Sequence, residues 1–158
     1  MPQASISMDW QGLTDLGETL NALGVNMKVP VEMAMEQAKY LMDTSAYYDM
    51  VKHTKPVSKW SRTGNTQKSI MFGDEVVWDG YEAEVGVGFD VRHGGLASVF
   101  IMYGTPKHMI GNWEHPGVKA DKKLYNDFFG SKAKKQVRDT MTRAFESTIR
   151  EALRRSGG

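Results

Sequence analysis

Three side chains in one stretch, His108, Glu114 and His115, are of the types that hold metal ions. To activate a water they would have to converge on one ion in tetrahedral or octahedral geometry. Their spacing matches neither a helical H-E-x-x-H pair nor a zinc knuckle, and sequence neighbours such as Glu114 and His115 seldom aim at one point. Solvated loop histidines are the simpler expectation. Glu82 and Glu84, two apart in a strand-like run, would share a face and could work as an acid/base pair. Alternating solvent-facing acids explain them more economically. Gly86-Val87-Gly88 lacks the third glycine of a dinucleotide loop, the stretch R-T-G-N-T-Q-K-S at 62–69 lacks the G-K-[ST] ending of a phosphate loop, and no serine sits in a G-x-S-x-G elbow. The chain has no cysteine, which removes disulfides, thiolate zinc sites and cysteine nucleophiles together. The residues therefore point away from an enzyme, with no metal and no cofactor expected.

Charge is more informative than chemistry. The 158 residues carry a formal charge of only +1. Residues 1–100 hold 13 acidic and 8 basic side chains, whereas residues 101–158 hold 6 acidic and 12 basic, so a net −5 is followed by a net +6. Eight of the basic residues lie between Lys132 and Arg155, against three acidic ones. One reading is a small nucleic-acid-binding module that uses this basic helix. Phosphate-tracking surfaces usually also offer aromatics to stack on bases, and the one aromatic here, Phe145, falls in the apolar stripe. A docked helix whose outer face meets solvent or an acidic neighbouring subunit is the preferred alternative.

These residues need a scaffold, and the hydrophobic periodicity supplies one. Leu13, Leu16, Leu20 and Leu23 recur at helical spacing ahead of Gly24, a natural left-handed cap. A second helix is expected from Pro30, with Val31, Met35, Ala38 and Met42 on one face, ending before Lys55-Pro56. Residues 55–68 read as a long exposed loop. The period then changes to two. Val76-Val77-Trp78 and the alternating Tyr81, Ala83, Val85, Val87 and Phe89 flank Asp79-Gly80, which predicts a hairpin. The run LASVFIMYG at 96–104 fits either a central strand or a short buried helix. Residues 104–119 contain two prolines and show no periodicity, so a second long, mobile loop is expected. A short helix closed by Gly130 precedes a long amphipathic helix with Ala133, Val137, Met141, Phe145, Ile149 and Leu153 inside. The prediction is a single α+β domain spanning 1–158: N-terminal helices, a small antiparallel β meander, and a long C-terminal helix. No stretch approaches the roughly 20 apolar residues of a membrane span, and MPQASISMDW lacks the basic-then-apolar order of a secretory signal. Trp60 and Trp113, placed in the two polar loops, suggest protein contacts, where aromatics are enriched.

Short motifs in this order carry a resemblance. Ala38-Lys39 lies in the second helix, followed by P-x-S-x-W-S-R-T-G at 56–64, Ser69-Ile70, a hairpin, and Tyr103-Gly104-Thr105 closing an apolar run. His115-Pro116 and the final helix complete the pattern. From about residue 30 to 153 the chain resembles the tail-completion, or neck, proteins of long-tailed bacteriophages, the minor-tail-protein-Z-like family that includes head–tail joining components. It departs from that pattern at Asn65-Thr66, where family members commonly have an apolar residue, and at Met102, where many have glutamate. The resemblance implies a structural virion protein without catalytic residues. It would assemble in the host bacterial cytoplasm as a homo-oligomeric, sixfold ring in the neck, between tail tube or tail terminator proteins and the head connector. DNA would pass through the channel without specific contacts. Trp60, Arg62, Thr63, Gly64, Tyr103, Gly104, Thr105, His108, Trp113 and His115 are the expected interface residues.

Overall fold

The computed structural model describes residues 4–9, 14–22, 24, 26–54 and 64–157. Helices and a small antiparallel sheet share one core, so the fold is α+β as the periodicity predicts. The first described element is a strand, β1 (Ala4–Asp9), which the reading of the sequence did not include. Two helices follow, α1 (Thr14–Ala22) and the long α2 (Lys28–Thr54). Gly24 has φ +75°, the left-handed backbone expected just after α1. Leu20 is buried as foreseen, whereas Leu13 and Leu23 lie outside the described residues.

The expected hairpin is β2 (Val77–Asp79) and β3 (Glu82–Val87), with Gly80-Tyr81 as its turn and Asp79 paired directly opposite Glu82. It is not a meander. The strand order is β1-β3-β2, because β1 returns from the N-terminus to cover the free side of β3. Register explains why the strand is needed. Ile6 faces Val85, Ala4 faces Val87, and Met8 shares a row with Ala83 and Trp78, which completes an apolar inner face. Ala83, Val85 and Val87 are fully buried on it, and each buried valine is worth roughly 1.5–3 kcal/mol.

The loop expected at 55–68 is replaced at its end by a short helical turn, α3 (Asn65–Lys68). The ambiguous apolar run resolves as a helix, α4 (Leu96–Tyr103), introduced by an irregular turn over Val91–Gly95. Only Ser98 and Met102 of α4 are buried, so it lies at the surface of the core and not in a central strand position. Next comes a second hairpin, β4 (His108–Ile110) and β5 (Trp113–His115), where an unstructured loop was expected. Helix α5 (Lys122–Phe129) is capped by Asp121, whose side chain accepts from the N–H groups of Lys123 and Leu124, and it ends at Gly130 as foreseen. Helix α6 (Ser131–Ser156) packs against α2 in the most extensive helix pair. Met141 and Ala144 are buried, while Val137 and Phe145 are partly buried against the same core. Among the described residues no helix is long and apolar enough to cross a membrane.

Candidate functional site

The residues around the second hairpin come together in space. Gly104 ends α4 with its N–H bonded to the Phe100 carbonyl at 2.8 Å and a φ of +74°. A Cβ at this position would lie 2.8 Å from the Val118 carbonyl oxygen and 2.9 Å from the Ala120 nitrogen. Only glycine accepts both the backbone angle and the approach. Thr105 and Val118 then exchange backbone hydrogen bonds at 2.8 and 3.0 Å, and the Thr105 hydroxyl oxygen also accepts from the Val118 N–H at 3.0 Å. This clamp forms the base of an arm that runs through β4 and β5.

Along the arm His108 pairs with His115, Met109 with Glu114 and Ile110 with Trp113. The two imidazoles stack at 4.8 Å, and the Trp113 ring meets His115 edge-on at 5.2 Å. Strand alternation sends Glu114 to the face opposite His115, so the three metal-type residues do not converge. Among the described residues no group of three histidine, aspartate or glutamate side chains is placed to hold a metal ion. The arm instead presents apolar surface: Met109 is 62% exposed, Ile110 53% and Trp113 54%. A two-stranded hairpin alone in water is only marginally stable, and apolar side chains displayed this way mark contact surfaces.

Of the other expected interface residues, Tyr103 is exposed at the foot of the arm, its ring T-shaped against Tyr125 at 5.5 Å. Gly64 belongs to a different neighbourhood. It opens α3, which packs against the Val91–Gly95 turn and against α2, where the Gln67 side chain donates to the Tyr47 carbonyl at 3.0 Å. Trp60, Arg62 and Thr63 lie outside the described residues.

Three features escaped the sequence reading. The first is an aromatic face on α2, where Tyr40, Tyr47 and Tyr48 stand exposed beside Phe72. Tyr40 and Tyr47 lie 6.5 and 5.9 Å from the Phe72 ring. With Met33, Glu36 and Glu75, Tyr40 and Phe72 line a cleft of about 670 Å³. A spacing of 33, 40 and 47 at every seventh residue was the available signal.

The second is a polar seam between α2 and α5. Ser45, Asp49 and His53, one turn apart on α2, face Asp127, Lys123 and Asp121. Ser45 donates to Asp127 Oδ1 at 3.0 Å, Lys123 pairs with Asp49, and His53 Nε2 lies 2.7 Å from Asp121 Oδ2. Asp49 Oδ2 and Asp127 Oδ2 are both buried and, among the described residues, have no hydrogen-bond partner. Burial, and after it the neighbouring Asp49, pushes the Asp127 carboxyl up to about 7. The Lys123 ammonium is moved upward by its bond to Asp49.

The third is Lys39 with Asp43, both buried in the core. Their positions one turn apart within the apolar stripe of α2 could have revealed them, since long charged side chains are almost never fully buried unless paired.

Compared with models of known protein families, with curated proteins and with solved structures, the chain matches none.

Proposed function

We propose that the protein is a structural component of a bacteriophage virion, a tail-completion or neck protein that caps the tail and helps join it to the head connector as a homo-oligomeric ring. The observation that carries this reading is the arm at His108–His115, which holds Met109, Ile110 and Trp113 more than half exposed, with none of the described residues covering them. An assembly arm has that chemistry, because its apolar side chains gain by leaving water only when a neighbour arrives. The order of motifs from Ala38-Lys39 to His115-Pro116 supports the same family. The nucleic-acid alternative finds less support, since Phe145, the single aromatic of α6, packs against the core and leaves that helix no platform for bases.

The test is genetic and visual. Phage particles made without this chain should accumulate filled heads and finished tails that do not join. Labelled protein should appear as a ring at the neck. Normal head–tail joining in its absence would overturn the reading.

A further inference from the structure

We propose that the outer face of the three-stranded sheet receives the outer stripe of α6 from a second copy of this chain. The contact rests on the ring reading and names the surfaces that would build it.

The sheet has two unlike faces. Its inner face is the buried row system of Ile6, Ala83, Val85 and Val87. Its outer face carries Asp79, Glu82 and Glu84, all exposed, beside Val77, which is 69% exposed. Asp79 and Glu82 stand directly opposite one another across β2 and β3. Like charges in that arrangement destabilise a sheet. Among the described residues none of these three carboxylates has an ion-pair partner. A sheet with this face is relieved when cations are brought to it.

Helix α6 supplies them. Lys132, Arg143, Arg150 and Arg154 follow one stripe, exposed, and among the described residues no carboxylate pairs with them. By contrast Lys135 is paired with Asp139 at 2.9 Å, and Arg155 with Glu151. The pitch also fits. Arg150 and Arg154 are separated by about 6 Å along a helix, and Glu82 and Glu84 by about 6.6 Å along a strand.

One molecule cannot bring these surfaces together. The apolar side of α6, with Val137, Met141 and Phe145, shares a groove with Ile6 and Met8 of β1. Helix α2 covers the inner side of the sheet and α6 packs on α2, with its basic stripe on the side of α6 opposite Met141 and Ala144 and so turned away from the sheet. Two complementary surfaces on opposite sides of a protomer make a head-to-tail contact, the type of interface from which rings are built when its rotation closes.

The experiment uses full-length protein and two variants, Glu82→Lys/Glu84→Lys and Arg150→Glu/Arg154→Glu, followed by native mass spectrometry and sedimentation. Each variant alone should weaken self-association by about tenfold or more, because like charges then face each other. Mixed in equal amounts, they should assemble again with strict alternation, and the chain carrying all four changes should assemble by itself. Salt at about 0.5 M should weaken the wild-type oligomer. A wild-type oligomer unmoved by either reversal, or variants that do not recover on mixing, would overturn this contact while leaving the ring intact. A wild-type chain that stays monomeric at millimolar concentration would overturn the ring reading itself. The single changes Glu84→Lys and Arg150→Glu give the same contrast if a double variant fails to fold.

Discussion

Inside the core, Lys39 Nζ lies 2.7 Å from Asp43 Oδ2, one turn apart on the same helix. The ammonium also donates to the Gly86 carbonyl at 2.8 Å and to that of Met71, while Asp43 Oδ1 accepts from the Gly88 N–H at 2.7 Å. Burial pushes the Asp43 carboxyl up, and the bonds from Lys39 and Gly88 pull it back. The pair thus fastens α2 to the end of β3 and to the segment before the first hairpin.

Lys39→Met removes one half of this arrangement and leaves a carboxylate buried without its counter-ion. The expected loss is about 3–5 kcal/mol, read as a lower midpoint in urea denaturation. Adding Asp43→Leu should restore part of the loss, held back by the Gly88 N–H left without an acceptor. A single variant as stable as wild type would show that the pair does not hold the helix to the sheet.

The seam between α2 and α5 sets a pH dependence. A carboxyl whose folded pKa of about 7 exceeds its unfolded value binds its proton more tightly when folded. Stability contributed at Asp127 is therefore present below about pH 4, the unfolded value, and is lost as pH rises towards 7. Asp49 and Lys123 face Asp127 directly, and Lys132 lines the same cleft. Asp127→Asn should flatten the fall in melting temperature across that window and melt above wild type at pH 8. A slope unchanged in the variant would assign it elsewhere.

Gly104→Ala should loosen the base of the arm. The new methyl meets the Val118 carbonyl, and the backbone here, φ +74° with ψ 170°, is a conformation essentially reserved for glycine that costs other residues roughly 1–3 kcal/mol. Faster amide hydrogen exchange at Thr105 and Val118, with α2 and α6 still protected, is the expected signature. Uniform protection would mean that the clamp does not depend on this glycine.

Trp113→Ala should leave the protomer's thermal melting within about 0.5 kcal/mol of wild type, as surface changes usually do. It should weaken incorporation into particles, measured by the amount of chain that co-purifies with them. A large loss of protomer stability would make Trp113 an internal anchor.

What the sequence revealed follows from the range of the interactions involved. The face of α2 and the alternation of Ala83, Val85 and Val87 are local periodicities, and the structure buries those residues as expected; of the stripe expected inside on α6, Met141 is buried, Ala133, Val137, Phe145 and Ile149 are half-buried, and Leu153 is exposed because the end of the helix runs past the core. Strand β1 was missed although Ala4, Ile6 and Met8 alternate with Ser5, Ser7 and Asp9, a period-two pattern of only six residues whose buried face is completed by β3 beside it. The arm was hidden for a related reason: His-Met-Ile and Trp-Glu-His are three-residue strands with no buried face to impose a pattern. Trp113, His108 and His115 were still singled out, on side-chain type alone. The aromatic face of α2 was missed because one helix buries two neighbouring rows of residues and leaves a third, equally apolar, in solvent.

The position of β1 bears on the order of events during folding. Its six residues pair with β3 across roughly 80 residues of intervening chain, a long-range contact of the kind that slows folding. The ribosome releases the first strand long before its mate exists. Helices α1 and α2 can form early from local contacts, but the sheet must wait until Val87 has emerged. Until then β1, with Ala4, Ile6 and Met8, has no partner and is open to other chains, so its docking onto β3 is the step that closes this side of the sheet against misassociation.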